Sequence, residues 1–346
     1  MAWATPSRER RVLKAGHSSI AVTLPKPWAM AMNLRPGDLV VFDQNEDGAL
    51  YLKPAPAPGS PTVGAPYLVQ AHDFSSPGVL ERLVVGAYRV GHDTIEIRTE
   101  VPLGPERMEE IQQSARRLLG VSVVAQEPTR VLLQNFIDPS KYELPQLVQR
   151  MKMILVALLD ETEERLRRRA RARRLANLGE EADKVLALLV RQLFLASRDW
   201  SLARRIGSPD PRQLLEWRVV VHALEELSEL LGDTAEVLHR DGSRSADPTG
   251  ALAGLVGELR DGLKQVVEAL MRPTLSEACD GYAQAVRLGE SARATARGLS
   301  RPGRRVAAGI AARNLERGTR CLTLLSSVAL DRAVAQGSEM VLAPLP

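Results

Sequence analysis

The chain has 346 residues, with 46 Lys and Arg against 42 Asp and Glu, a formal net charge of +4 and only 4% aromatic side chains. That length suits two or three domains with a real core, and the near-balance of charge means any surface for a polyanion must come from local clustering. Scarce aromatics argue against stacking on single-stranded nucleic acid. The widely separated Cys279 and Cys321 suggest neither a disulfide framework nor a zinc site. No secretory segment is seen and no apolar run approaches the roughly 18 residues of a membrane span, so a cytoplasmic protein without membrane insertion is expected.

The first element group lies in Arg10–Pro54 and reads as two strands, a short helix and two more strands. Val12/Leu13 and then Ile20, Val22 and Leu24 alternate at period two. Pro25 and Pro27 stop that strand, and Pro27 fits the first turn of a helix over Trp28–Met32. Arg35-Pro36-Gly37-Asp38 turns the chain into a strand at Leu39–Phe42, and Asn45–Gly48 closes a hairpin onto Leu50–Leu52. So small a unit buries little core alone, and pairing with a second copy would remedy that.

Several of these residues, in this order, resemble the SpoVT/AbrB family of swapped-hairpin DNA-binding domains. They are the basic first strand, Gly16-x-Ser18-Ser19, Leu24-Pro25-Lys26-x-Trp28 and Leu34-x-Pro36-Gly37-Asp38. The resemblance implies a homodimer in which hairpins of two subunits interleave into one β barrel, with a symmetric interface. Charge agrees independently. Arg8, Arg10, Arg11, Lys14, Lys26 and Arg35 face one acid, Glu9, in the first 35 residues, and a twofold axis doubles that excess into a surface suited to the phosphates of double-stranded DNA. Arg10, Arg11, Lys14, Ser18, Ser19 and Lys26 are the candidate DNA-contacting residues. Phosphate contacts carry no base information, so the operator is not legible. A solvated basic strand that touches nothing is the competing reading.

The Pro/Gly-rich stretch Pro54–Pro66 reads as a linker. Tyr67–Phe136 then alternates strand and helix: strands at Tyr67–Ala71 and Thr94–Thr99, a helix over Val79–Val90, an amphipathic helix over Pro105–Leu119 and a hairpin of Val121–Gln126 with Arg130–Phe136. The buried face of Pro105–Leu119 is expected to include Met108, Ile111, Ala115 and Leu118–Leu119. From Tyr142 onward the pattern is almost all helical, over 142–177, 180–206, 211–240, 250–271, 274–298 and 303–335. These boundaries suggest an AbrB-like domain at 1–54, a linker at 55–66, an α+β domain at 67–140 and an all-α bundle of about six helices at 141–340. A faint internal repeat sets Ala223-Leu224-Glu225 beside Asn314-Leu315-Glu316, and Glu180–Asp183 beside Glu277–Asp280, suggesting two three-helix units.

A second resemblance rests on Leu83–Ala87, Tyr88, Gly91–Ile97, Leu118–Val124 and Val131–Pro139, together with Asp183–Leu193. These segments look like the archaeal-type phosphate uptake regulator (PhoU) family. That family implies two three-helix bundles presenting acidic E/D-x-x-x-D motifs to metal ions. Here Glu225 and Glu229 fill the spacing, Asp233 extends it by a turn, and Glu180 and Asp183, with Glu181 a further companion, would approach from the preceding helix. Carboxylates at i and i+4 share a helix face, and oxygen donors suit a divalent or ferric ion more than a closed zinc site. The second repeat departs from the pattern, since Arg320 stands four residues after Glu316 and predicts an ordinary ion pair. Acids at i,i+4 are also common on solvated faces, and their repulsion of about 0.2–0.5 kcal/mol per pair needs no cation. His222 and His239 read as structural or surface residues. The arginine run Arg165–Arg174, preceded by Asp160, Glu161, Glu163 and Glu164, reads as a partly neutralised helix surface, with nucleic acid, anionic lipid or an acidic partner as alternatives.

Together these features suggest a dimeric DNA-binding regulator of phosphate uptake or homeostasis with a helical sensing or adaptor domain. The alternative is a cytoplasmic adaptor that binds a phosphate ABC transporter or a sensor kinase and leaves DNA alone. An enzyme is not expected: no Ser/His/Asp or Cys/His arrangement and no phosphate loop accompanies the acids.

Overall fold

The computed structural model describes residues 9–44, 50–55, 66–70, 78–168, 175–241, 249–300 and 306–337. The chain divides into two compact units, Met1–Thr62 and Val63–Pro346.

In the first unit, β1 (Leu13–Ala15) pairs antiparallel with β2 (Ser19–Ala21), Lys14 lying opposite Ile20. Gly16, at φ +74°, provides the left-handed residue of their turn. The short helix α1 (Lys26–Ala31) has Pro27 in its first turn, where the missing N–H costs nothing. It begins two residues before the predicted Trp28, because Pro25 is extended and the chain turns helical directly after it. The Asp38 carboxylate accepts from the Arg35 N–H at 2.7 Å and closes the turn into β3. β3 (Val40–Gln44) and β4 (Leu50–Pro54) form a second antiparallel ladder with Phe42 opposite Leu52. The turn expected at Asn45–Gly48 and nearly all of the linker expected at Pro54–Pro66 lie outside the described residues.

No described residue of this unit is buried. Ile20 and Leu39 are each 77% exposed, Leu50 65% and Phe42 61%. The expected swapped-hairpin barrel is not formed by the single chain, which has two separate two-stranded sheets here. Two-stranded sheets have too little face-to-face contact to bury their apolar side chains without another layer.

The second unit begins with a four-stranded sheet in the order β5-β6-β8-β7. β5 (Tyr67–Gln70) runs parallel to β6 (Thr94–Arg98), joined through helix α2 (Val79–Arg89). β8 (Arg130–Asn135) is antiparallel to both β6 and β7 (Val121–Glu127), with a register shift between Val123 and Ala125. Helix α3 (Pro105–Arg116) carries Pro105 in its first turn, Glu106 near its N-terminus and Arg116 near its C-terminus, each favourable to the helix dipole or to start geometry. Its Ile111 and Ala115, with Leu118 beyond its end, pack with Leu80, Val84 and Tyr88 of α2 against Ile95, Ile97, Val131 and Leu133 of the sheet. Met108 of the expected apolar face packs there too, whereas Leu119 joins the helical core described next. Gly120 must be glycine: it sits at φ +74°, and a Cβ would lie 2.3 Å from Ile137.

A 3₁₀ turn at Pro139–Lys141, capped by the Asp138 carboxylate, leads into α4 (Leu144–Arg168), α5 (Leu175–Ala196), α6 (Trp200–Arg205), α7 (Pro211–Asp241), α8 (Thr249–Met271), α9 (Leu275–Leu299) and α10 (Val306–Ala335). The helix expected over 180–206 is divided. Asp199 accepts from the N–H groups of Ser201 and Leu202, an N-cap that restarts the helix as α6. Of the helix expected over 142–177, α4 covers 144–168 and residues 175–177 belong to α5, while residues 169–174, and with them most of the arginine run, lie outside the described residues. α10 packs on α7, α8 and α9, and one continuous core runs through all seven helices. The two expected three-helix repeats therefore do not appear as separate bodies.

α5 belongs to both cores: Ala187 packs with the sheet, and Leu186, Leu188 and Leu189 with the helices. Arg191 sits at this junction, its side chain 1% exposed. It donates to the carbonyls of Tyr88 at 2.8 Å and His92 at 2.9 Å, pairs with Asp93, and lies 4.8 Å from the Tyr88 ring centroid. Burial opposes its charge and Asp93 offsets part of that cost, so the buried guanidinium holds its place only because oxygens meet it.

Candidate nucleic-acid interface and acidic cleft

The six candidate DNA-contacting residues are all exposed. Arg10 and Arg11 occupy the segment before β1, Lys14 is the middle residue of β1, Ser18 lies in the hairpin turn, Ser19 begins β2 and Lys26 begins α1. Among the described residues, none of the four cations is engaged in an ion pair, so each is available to a phosphate. The ladder does not place all six on one surface. Lys14 is opposite Ile20 and Ser19 opposite Ala15, so Lys14 and Ser19 belong to different faces of the hairpin.

The acids predicted on the helices come together more closely than the cations. Asp183 of α5 and Glu225, Glu229 and Asp233 of α7 line a pocket of about 470 Å³, the three α7 residues forming the stripe that a four-residue spacing gives. Glu180 is exposed and lies outside that lining. Glu181 is held instead by Lys184 at 3.1 Å and Arg150 at 3.0 Å, which keep its carboxyl below the usual range.

The opposite wall comes from segments that sequence reasoning did not connect with these acids. Glu81, Arg82 and Arg89 of α2 and Arg117 after α3 line the same pocket, with Val85, Leu118, Leu186 and Ala187 as apolar lining. Arg89 donates to Glu225 at 2.9 Å and Arg117 to Glu81 at 2.5 Å. These residues lie about a hundred positions upstream of α7, and no local pattern marks them as neighbours of Glu225. The alternation of charge along α2 was the available signal, but it is indistinguishable from a solvated face.

This donor set does not fit the metal ion implied by the second resemblance. Glu225 is occupied by a guanidinium, three arginines share the pocket, and no group of three or more His, Cys, Asp or Glu among the described residues is placed to hold a metal ion. In the second repeat, Glu316 pairs with Arg320 at 3.4 Å, as its spacing predicts, and with Arg293 at 3.4 Å. His222 is exposed, and His239 meets Arg165 at 3.3 Å. Of the arginine run, Arg167 pairs with Glu163 at 2.8 Å and Arg165 donates to the Leu238 carbonyl.

Asp183 is exposed to solvent and lines the cleft. Desolvation raises its carboxyl pKa, and the pull of Arg117 and Arg89 only partly counters this. A carboxyl raised in the folded state makes folding less favourable as pH rises from the unfolded pKa through the folded one. Asp183→Asn is therefore expected to raise the melting temperature at pH 7, by less than about 1 kcal/mol because the group is partly solvated. The gain should vanish below about pH 3.9. Thermal melts of both proteins across that range check it, and a variant less stable at pH 7 would refute the desolvation account.

Residues 13–60 match the family model described as MazE, antidote-toxin recognition, bacterial antitoxin. The N-terminal segment is thus a MazE/AbrB-like domain. No curated protein and no solved structure matches the chain. Nothing in these comparisons points to the phosphate uptake regulator family. No helix among the described residues is long and apolar enough to cross a membrane.

Proposed function

We propose that this protein is a dimeric DNA-binding transcriptional regulator whose N-terminal domain grips duplex DNA. The observation that carries this reading is the coincidence, in one segment, of the MazE/AbrB-like match over residues 13–60 with unpaired cations at Lys14 and Lys26 and with Arg10 and Arg11 just before it. MazE/AbrB-like domains bind DNA and are typically dimeric. The exposed apolar side chains of this unit supply a reason for two copies to associate. The large second unit, where sheet and helices share α5, is the part available for sensing or for contact with other proteins. The matched family's description speaks of toxin recognition; the cationic stretch favours the DNA role.

The finer reading, that the regulated process is phosphate uptake, rests on the resemblance of Leu83–Ile97, Leu118–Val124, Val131–Pro139 and Asp183–Leu193 alone. It is tested by mapping bound genomic DNA with and without phosphate, where an unchanged pattern removes phosphate from the proposal.

The DNA reading is tested by gel shift with promoter fragments over a range of salt. Binding should weaken steeply as salt rises. Lys14→Ala should flatten the plot of log affinity against log salt by about two, since each dimer loses two phosphate-neutralising cations. Absent or salt-insensitive binding would leave the adaptor reading, with the N-terminal domain serving dimerisation alone.

A further inference from the structure

We propose, resting on the DNA reading above, that the outer face of the α9–α10 hairpin is a second phosphate-binding surface, which holds the backbone of the same duplex that the first unit grips. Residues 287–320 contain nine arginines and two glutamates, with no lysine or aspartate, a local charge of +7. Because the whole chain carries only +4, everything outside this stretch sums to −3. The charge that a polyanion needs is therefore concentrated here, more strongly than in the first 35 residues. Arg301, Arg304 and Arg305 lie outside the described residues; the other six arginines are on α9 and α10, and all six are exposed.

Helix periodicity gathers four of the six. Arg293 and Arg297 are one turn apart on α9, and Arg313 and Arg320 are two turns apart on α10. Ala292 and Ala296 of α9 and Ala311, Ala312 and Leu315 of α10 are buried in one core, which fixes the rotation of both helices and turns these four side chains outward. The two rows meet at Glu316, where one carboxylate oxygen accepts from Arg293 and from Arg320, each at 3.4 Å. A carboxylate divided between two guanidiniums neutralises one of them at most, and both arginines stay more than half exposed. Arg297 and Arg313 have no ion-pair partner among the described residues. Four cations thus face two acids, Glu316 and the neighbouring Glu290. Arg317 is drawn aside to Glu226 of α7 at 3.2 Å, and Arg287 is on another side of α9.

Exposed guanidinium forks on rigid helices suit phosphate oxygens, which accept from both arms of a fork. An open row of cations along two helices fits an extended phosphate backbone, whereas a single small anion takes a concave seat. Pro54 ends β4 and Tyr67 begins β5. The chain joining them spans at most about 45 Å when fully extended, more than the roughly 34 Å of one DNA turn. That length lets the second unit reach phosphates flanking the site that the first unit holds.

The test compares two duplexes with the full-length protein over a range of salt: the shortest promoter fragment that the parent binds, and the same fragment extended by about two helical turns at each end. The extension should tighten binding by the parent at least about tenfold and steepen its plot of log affinity against log salt. Arg297→Gln with Arg313→Gln, at two exposed positions with no ion pair to lose, should remove that tightening. It should flatten the long-duplex plot by about four, two cations from each chain of the dimer, while short-duplex affinity and melting temperature stay those of the parent. Lys14→Ala, by contrast, should weaken binding to both duplexes. A parent that binds both duplexes equally, or a double variant that keeps the preference for the longer one, overturns this inference and leaves the first unit's DNA role standing. A parent that binds neither overturns both. Binding to phosphatidylglycerol vesicles that the double variant loses, with no effect of duplex length, would overturn it in favour of a membrane surface.

Discussion

Phe42→Asp is expected to convert the protein from a dimer to a monomer at micromolar concentration and to abolish DNA binding with it. Phe42 stands opposite Leu52 on the β3–β4 ladder, 61% exposed, with Leu50 nearby at 65%. Nothing described in this unit is buried in the single chain, so in the proposed dimer its apolar side chains gain burial from the second copy. Burying one phenylalanine contributes about 1.5–3 kcal/mol, and a twofold interface counts it twice. Introducing a carboxylate there adds the cost of an unpaired buried charge. A loss of about 3–6 kcal/mol corresponds to at least a hundredfold weaker association. Sedimentation and gel shift on the same preparation decide the matter. A Phe42→Asp protein that remains dimeric would place the interface elsewhere, and one that is monomeric yet binds DNA normally would separate DNA binding from dimerisation.

Arg191→Met should be the most damaging single substitution in the second unit, costing about 3–5 kcal/mol of unfolding free energy. Methionine fills much of the volume but supplies no donor. The carbonyls of Tyr88 and His92 lose their Arg191 donor, each at about 1–3 kcal/mol, and Asp93 loses its cation. Because Arg191 ties α5 to the corner between α2 and β6, the sheet should lose protection from hydrogen exchange before the α8–α10 helices do. Urea unfolding followed by far-UV circular dichroism gives the magnitude, and exchange mapping gives the location. A loss below about 1 kcal/mol would mean that water takes over the freed acceptors. Arg191→Lys is the informative control: it keeps the charge but cannot reach three acceptors with one fork, and should recover only part of the loss.

A smaller effect is expected at Glu96, which is shielded on the sheet by the guanidiniums of Arg130 and Arg98 at 2.5 and 2.8 Å. Their hydrogen bonds hold its carboxyl below the usual carboxylate range. A depressed carboxyl contributes stability above its unfolded pKa and loses it as pH falls through the folded one. Glu96→Gln should therefore be less stable than the parent at pH 7 and match it in strong acid, as paired thermal melts would show. A difference that persists unchanged in strong acid would assign the effect to packing and not to charge.

Local patterning was sufficient for the elements whose signals lie within a few residues. Pro27 inside a first turn, Gly16 and Gly37 at turns, the apolar spacing of Ile111, Ala115 and Leu118, and the four-residue step from Glu225 to Asp233 are all short-range features, and each reports directly on backbone or face. The sequence therefore determined the strand–helix–strand order of the N-terminal domain, its cationic stretch and the helical character after Tyr142. It missed the break at Asp199, where a single capping side chain outweighs a continuous apolar pattern.

Only the tertiary structure decided what those elements meet. Arg89 reaches Glu225 across 136 positions of chain, and Arg191 reaches Tyr88 across 103. Side chains so far apart in sequence leave no periodic trace, because their proximity is set by how α2 and α7 pack around α5. A row of carboxylates that looks like a metal ligand set on one helix becomes a mixed-charge cleft once the facing helix supplies its guanidiniums. The opposite holds for the first unit, where the folded single chain leaves the apolar positions uncovered, and the proposed dimer is what would cover them.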